Sequence, residues 1–185
     1  MDSFSYKLFK GNVFKELVKT LFEDFGYKTA PYGYENQFST MIKTELSQNN
    51  SETARRIRSS PDLVVYDQDT KDINLVEVKM SANEYITINK IEDYREFWDD
   101  AIMVAIINDE KDLFYAEKIR DIRTLSHRKY HTSKDDFRRI QDLFPKIKSE
   151  GLDLYRKLAV KMLNATSFKP DQEESGDQEQ SRSSD

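Results

Sequence analysis

Pro61-Asp62 and Glu77-Val78-Lys79 carry the plainest chemistry in this chain, with the two acids fifteen residues apart. Carboxylate oxygens are hard donors suited to Mg²⁺ or Mn²⁺. A divalent ion held by two of them can activate a water and offset charge at a phosphate. A neighbouring lysine adds a compact positive charge. Asp62, Glu77 and Lys79 are therefore the parts of a metal-dependent phosphodiester-cleaving site.

The elements that must position them are strand-like. Leu63-Val64-Val65-Tyr66 and Ile73-Asn74-Leu75-Val76-Glu77-Val78-Lys79 read as two strands, and the polar stretch 67–72 reads as the turn between them. A turn centred between Asp69 and Thr70 sets Asp62 opposite Glu77 and Asp67 opposite Asp72. Directly opposed residues have β-carbons ~4.5–5.5 Å apart, close enough for two carboxylates to share a cation. Alternation puts Glu77 and Lys79 on one face behind Ile73 and Leu75, with Val64 and Tyr66 following Asp62 on its own strand. An apolar face thus ends in two acids and a lysine. Two unpaired like charges there would be costly, and a divalent cation removes the cost. The alternative is an ion pair between Lys79 and one carboxylate.

The 185 residues suit one domain with a real core. The expected division is a single domain over 1–169, with a core at about 8–120 and a helical extension at about 121–169, then an acidic disordered tail at 170–185. That tail holds six acids and one base, which accounts for the whole net charge of −5. Within the body, residues 118–161 carry thirteen Lys/Arg against six Asp/Glu, and Arg55, Arg56 and Arg58 precede Pro61. Such patches supply sequence-independent attraction to phosphates, so a nucleic acid is the expected partner, although much of the first patch also reads as a solvated helix face. There is no cysteine, which excludes disulfides and thiolate metal sites and suits the cytoplasm. The longest apolar run, 101–107, is strand-sized, and 1–10 lacks a secretory pattern, so no membrane association is expected. His127 and His131 read as solvated or phosphate-facing rather than a zinc pair, since no further soft ligand is near.

Along the chain, 11–25 reads as an amphipathic helix stopped by Gly26, with Val13, Phe14, Leu17, Val18, Leu21, Phe22 and Phe25 at helical spacing. A strand at 27–29 and an aromatic loop, Tyr32-Gly33-Tyr34, follow. Residues 35–60 form a long polar connector with a short helix near 40–46. The spacing predicts a second helix over 86–98, a buried central strand over 101–107 and another strand over 113–119. Helices follow over 134–143, with Ser133 as N-cap, and over 152–163. This order implies an α/β fold, a mixed sheet flanked by helices.

With these residues in place, the chain resembles the PD-(D/E)xK nuclease superfamily, the restriction-endonuclease-like fold. The resemblance rests on Pro61-Asp62, on Glu77-Val78-Lys79 and on the helix–hairpin–helix–strand order around them, over roughly residues 8–120. Within the superfamily the core is similar to archaeal Holliday junction resolvases and related archaeal or viral nucleases. The resemblance implies that Asp62, Glu77 and the Val78 carbonyl hold Mg²⁺ or Mn²⁺, and that Lys79 orients the attacking water or stabilises phosphate charge. It also implies a homodimer acting on branched or duplex DNA in the cytoplasm, a host-cell cytoplasm if viral. Many members carry an acid on the first helix eleven residues before its glycine; Lys15 stands there, with Glu16 beside it. Some exonuclease-like members carry Gln and Tyr where Lys90 and Tyr94 stand, which marks Lys90 as a phosphate contact or an exposed base.

Three functions follow: a metal-dependent DNA endonuclease, a DNA-binding module that has kept the fold and lost the chemistry, and an interaction protein acting through its tail.

Overall fold

A computed structural model describes residues 3–81, 85–88, 90–108, 112–124 and 131–165. His127 and the tail expected to be disordered lie outside the described residues.

The chain opens with helix α1 (Ser3–Asp24), longer at its start than the apolar spacing indicates. Phe14, Leu17, Val18, Leu21 and Phe22 recur at one face and are all buried, so burial rather than propensity carries this helix. It ends as Gly26 adopts φ +82°. The Tyr27 amide then donates to the Phe22 carbonyl and the Gly26 amide to that of Glu23, the paired bonds of a glycine-terminated helix.

Strand β1 (Lys28–Pro31) follows, and then three helices, α2 (Tyr34–Gln37), α3 (Thr40–Gln48) and α4 (Glu52–Arg58). The polar connector is therefore largely helical. Ser51 caps α4 by accepting from the Ala54 amide. Next come β2 (Leu63–Tyr66), β3 (Ile73–Ser81), β4 (Tyr85–Thr87), α5 (Ile91–Phe97), β5 (Ile102–Ile107) and β6 (Phe114–Lys118). The C-terminal part supplies β7 (His131–Ser133), β8 (Arg138–Arg139), α6 (Ile140–Leu143) and α7 (Leu152–Ala165).

The main sheet runs β1-β2-β3-β5-β6-β8. It is mixed: β3 and β5 are parallel and every other neighbour pair is antiparallel. One face packs on α1, α6 and α7 through Leu63, Val65, Val76, Val78, Ile102, Val104 and Ile106. The other face, with Met103, Ala105 and Ile107, meets Ile88, Ile91 and Tyr94 of the α5 region, Ile119, Ile122 and Phe137. The fold is α/β, a mixed sheet flanked by helices. Among the described residues no helix is long and apolar enough to cross a membrane.

Two expected elements differ. Of the helix over 86–98, only Ile91–Phe97 is helical. Tyr85–Thr87 instead pairs with His131–Ser133 in a separate two-stranded sheet. Of the helix over 134–143, Ser133 does act as a cap, but on a single 3₁₀ turn, Lys134–Asp136. Arg138 and Arg139 then add to the sheet edge beside Ala116 and Tyr115. In both cases long-range strand pairing overrides local periodicity.

Candidate active site

The hairpin takes the register read from its turn. Leu63 faces Val76, Val64 faces Leu75, Val65 faces Asn74 and Tyr66 faces Ile73. The turn closes through one backbone bond, from the Asp67 amide to the Asp72 carbonyl, and one side-chain bond, in which the Asp67 carboxylate accepts from the Asp69 amide. Lys71 takes φ 68°, a left-handed conformation that closes the loop. One expectation fails at the far end, where Ile73 is 69% exposed because it sits beside the turn rather than under a helix.

Asp62 lies just before β2, one residue beyond the paired register, and Glu77 lies one residue past Val76 on β3. Both are buried, at 6% and 3% exposure. The Asp62 backbone is pinned by its carbonyl, which accepts from the Tyr32 and Gly33 amides of the aromatic loop. Its Oδ2 accepts from the Val78 amide at 2.8 Å. Its Oδ1 meets the Lys15 ammonium at 2.7 Å. Glu77 Oε1 accepts from the Tyr94 hydroxyl at 2.6 Å and from the Lys79 ammonium. Lys79 also lies 5.5 Å from the Tyr94 ring centre.

These groups open on a cavity of about 260 Å³. Its wall joins Asp62, Glu77 and Lys79 to Lys15, Arg58 and Lys90, with Tyr34, Ser60, Thr87 and Tyr94 between them. Four cationic side chains thus surround two carboxylates. Burial pushes the Asp62 carboxyl up to about 7; the Glu77 charge adds to the push, while Lys15 and Lys79 pull against it. Burial alone would lower the Lys79 ammonium, but the charges of Glu77 and Asp62 outweigh it and hold it above its usual range. Lys90 is lowered, first by burial and then by the charges of Arg58 and Lys79.

The expected site residues divide in two. Asp62, Glu77, Lys79, Arg58 and Lys90 line one cavity; Val78, expected to offer its carbonyl, is not in that wall, and its amide donates to Asp62 Oδ2. Arg58 and Lys90 are also structural: the Arg58 guanidinium donates to the Leu46 and Asn49 carbonyls, and Lys90 donates to the Arg58 carbonyl at 3.0 Å. Arg55 lies apart, held between Asp93 at 2.6 Å and Glu96 at 2.5 Å, where it ties α4 to α5. Arg56 lies over the Trp98 ring. Glu16 points away, paired with Lys19 at 3.5 Å and facing a groove between α1 and α7.

Two residues gain a role that sequence reasoning did not give them. Lys15, noted only as a departure from an expected acid, is the direct partner of Asp62. Its signal was the eleven-residue interval to Gly26. Tyr94, noted only for its spacing from Lys90, bonds the second carboxylate.

The donor set fits a divalent cation. Two hard, buried carboxylates line one cavity, and burial with the charge of Glu77 pushes Asp62 up, a push that an added cation would relieve. Asp62, Glu77 and the backbone at Val78 would hold it, once Lys15 yields Oδ1.

No protein-family model matches the chain, and no curated protein matches it in sequence. A similar solved structure is Hjc of Archaeoglobus fulgidus, a Holliday junction resolvase from an archaeal hyperthermophile. The two share 13% identity over 76% of this chain and 99% of that one, with a TM-score of 0.47. At that distance the chemistry has to be read from the cavity's own side chains.

Proposed function

We propose that the chain is a metal-dependent deoxyribonuclease that hydrolyses phosphodiester bonds of branched or duplex DNA at Asp62, Glu77 and Lys79. The observation that carries this reading is the pair of buried carboxylates in one cavity ringed by Lys15, Arg58, Lys79 and Lys90. Cations in excess of acids attract a phosphodiester, and the acids give its attacking water a place to be bound. When bound, Mg²⁺ or Mn²⁺ would supply an acidified water and Lewis-acid charge at the phosphate. The chain's own residues do the rest. Tyr94 holds the Glu77 carboxylate by its hydroxyl, and the Val78 amide holds that of Asp62, so neither acid depends on the ion for its orientation. Lys79, anchored on Glu77 and held protonated, presents a positive charge to a phosphate oxygen. Lys90 and Arg58 extend the cationic wall along which a strand would lie.

The test is incubation of the full chain with DNA duplexes, flaps and four-way junctions in Mg²⁺ or Mn²⁺. Cleavage that disappears in Asp62→Asn and Glu77→Gln supports the site, and cleavage that survives both overturns it. A homodimer belongs to the same proposal and is checked by the mass of the protein in solution.

Lys15 favours a second reading. It sits 2.7 Å from Asp62, so that two lysines balance two carboxylates without any ion. On this reading the cavity binds DNA and does not cut it. Salt-sensitive DNA binding with neither metal uptake nor cleavage would establish it.

A further inference from the structure

Next to the acidic cavity is a second one of about 230 Å³, with Ser60 in the wall of both. Tyr32, Gln37, Phe38, Arg56, Ile57 and Trp98 complete it, so it carries three aromatic side chains where its neighbour is ionic. Tyr32 meets Trp98 edge to face, with ring centres 5.9 Å apart at 83°. Arg56, an exposed side chain, places its guanidinium 5.5 Å from the Trp98 ring centre.

We propose that this cavity is a subsite for a single unstacked nucleobase, belonging to the nucleotide beside the phosphate held at Asp62 and Glu77. The proposal rests on the deoxyribonuclease reading for the position of that phosphate. It deepens that reading by naming the substrate class, DNA with an unpaired nucleotide at the cleavage point. Aromatic faces and arginine planes bind bases of any identity by stacking. The base lies on the face of Trp98 that Arg56 now covers, and Arg56 moves out over the base's other face. A cavity of this size admits one ring and no base pair. Ser60, shared by the two walls, makes the subsite the immediate neighbour of the cavity that holds the acids.

Trp98 is the only tryptophan in the chain, so its fluorescence reports on this cavity. The experiment uses the full chain in EDTA, where no cleavage enters. The probes are a short oligothymidylate, an abasic deoxyribose-phosphate strand of equal length, a blunt duplex and thymidine monophosphate. The expected result is quenching by the oligothymidylate and not by the abasic strand or duplex. Trp98→Ala should weaken oligothymidylate binding roughly ten- to hundredfold, measured by anisotropy of a labelled strand, and leave abasic binding unchanged. Arg56→Ala should cost a few-fold. Should Trp98→Ala not fold, Trp98→Phe keeps a ring in place and should lose only a few-fold, and the wild-type arms need no variant. Equal binding of base-bearing and abasic strands overturns the proposal, as does quenching by thymidine monophosphate at the same concentration as the strand. Failure here leaves cleavage at Asp62 and Glu77 untouched, and cleavage that survives loss of those acids leaves the quenching result standing.

Discussion

The sheet carries two kinds of buried carboxylate. At the edge and turn, Glu117 and Asp67 are each 6% exposed and each matched by a base. Arg138 grips Glu117 with two bonds, at 2.9 and 2.5 Å, and Lys146 meets Asp67 at 2.5 Å. Burial alone would raise Glu117, but the bonds from Arg138 and the Lys118 amide prevail, and the carboxyl is held below its usual range. The Lys146 bond likewise holds Asp67 low. At the cavity, Asp62 has two lysines for company and is still pushed up to about 7, by burial and by Glu77. The first kind is an ion pair that fastens β6 to β8, or the hairpin turn to the segment before α7. The second is two ion pairs, Lys15–Asp62 and Lys79–Glu77, set so close that each acid also feels the other's charge. An added cation would relieve that repulsion, which is the basis of the proposed metal site.

The sharpest way to break this contrast is to neutralise each kind. Asp62→Asn or Glu77→Gln should cut metal-dependent cleavage by about a thousandfold or more, the scale of several kcal/mol of transition-state stabilisation. Asp67→Asn and Glu117→Gln should leave cleavage per folded molecule near wild type. Steady-state assays on all four variants, at equal folded concentration, decide it.

The next effect is on pH. The folded pKa of Asp62 lies above its ordinary value near 3.9, so between about pH 4 and 7 the folded protein holds a proton that the unfolded chain has lost. This group's contribution to stability is therefore full below about pH 4 and declines as pH rises through about 7. A ¹³C NMR titration of the metal-free protein should show the Asp62 carboxyl ionising near neutrality. A midpoint near 4 would erase the distinction from Asp67.

Lys15→Met tests whether the lysine competes with a cation for Oδ1. Mn²⁺ affinity should rise by about tenfold, the equivalent of one unit of pKa. Calorimetric titration measures it; an unchanged affinity would show that Lys15 does not compete for Oδ1, and no Mn²⁺ uptake by either protein would favour the DNA-binding reading.

Smallest is the structural pair. Glu117→Gln should cost about 1 kcal/mol, because Arg138 is half exposed and its charge is screened. Glu117 and Asp67 are depressed acids, so their contribution is present above the ordinary carboxylate range and lost as pH falls through their lower folded values. The melting gap between wild type and Glu117→Gln should close toward low pH.

Local pattern was enough for much of this. The alternation of β2 and β3 about a polar turn fixed the register that brings Asp62 toward Glu77, because a one-residue slip would turn every side chain to the wrong face. The uninterrupted run in β5 marked a strand covered on both sides. The apolar stripe of α1 and the glycine after it marked that helix and its end. None of these depends on a distant partner. Tertiary structure decided what does depend on one. Tyr85–Thr87 is a strand only because His131–Ser133 lies beside it, and Arg138 is a strand residue because it pairs with Ala116, with Glu117 gripping its side chain. Arg55 and Arg58 look alike in sequence, yet one is consumed by Asp93 and Glu96 while the other faces the cavity. Lys15 reaches Asp62, Tyr94 reaches Glu77 and Trp98 meets Arg56 across gaps of 47, 17 and 42 residues. Spacing along a chain sets the face on which a side chain emerges, but only packing sets what lies opposite.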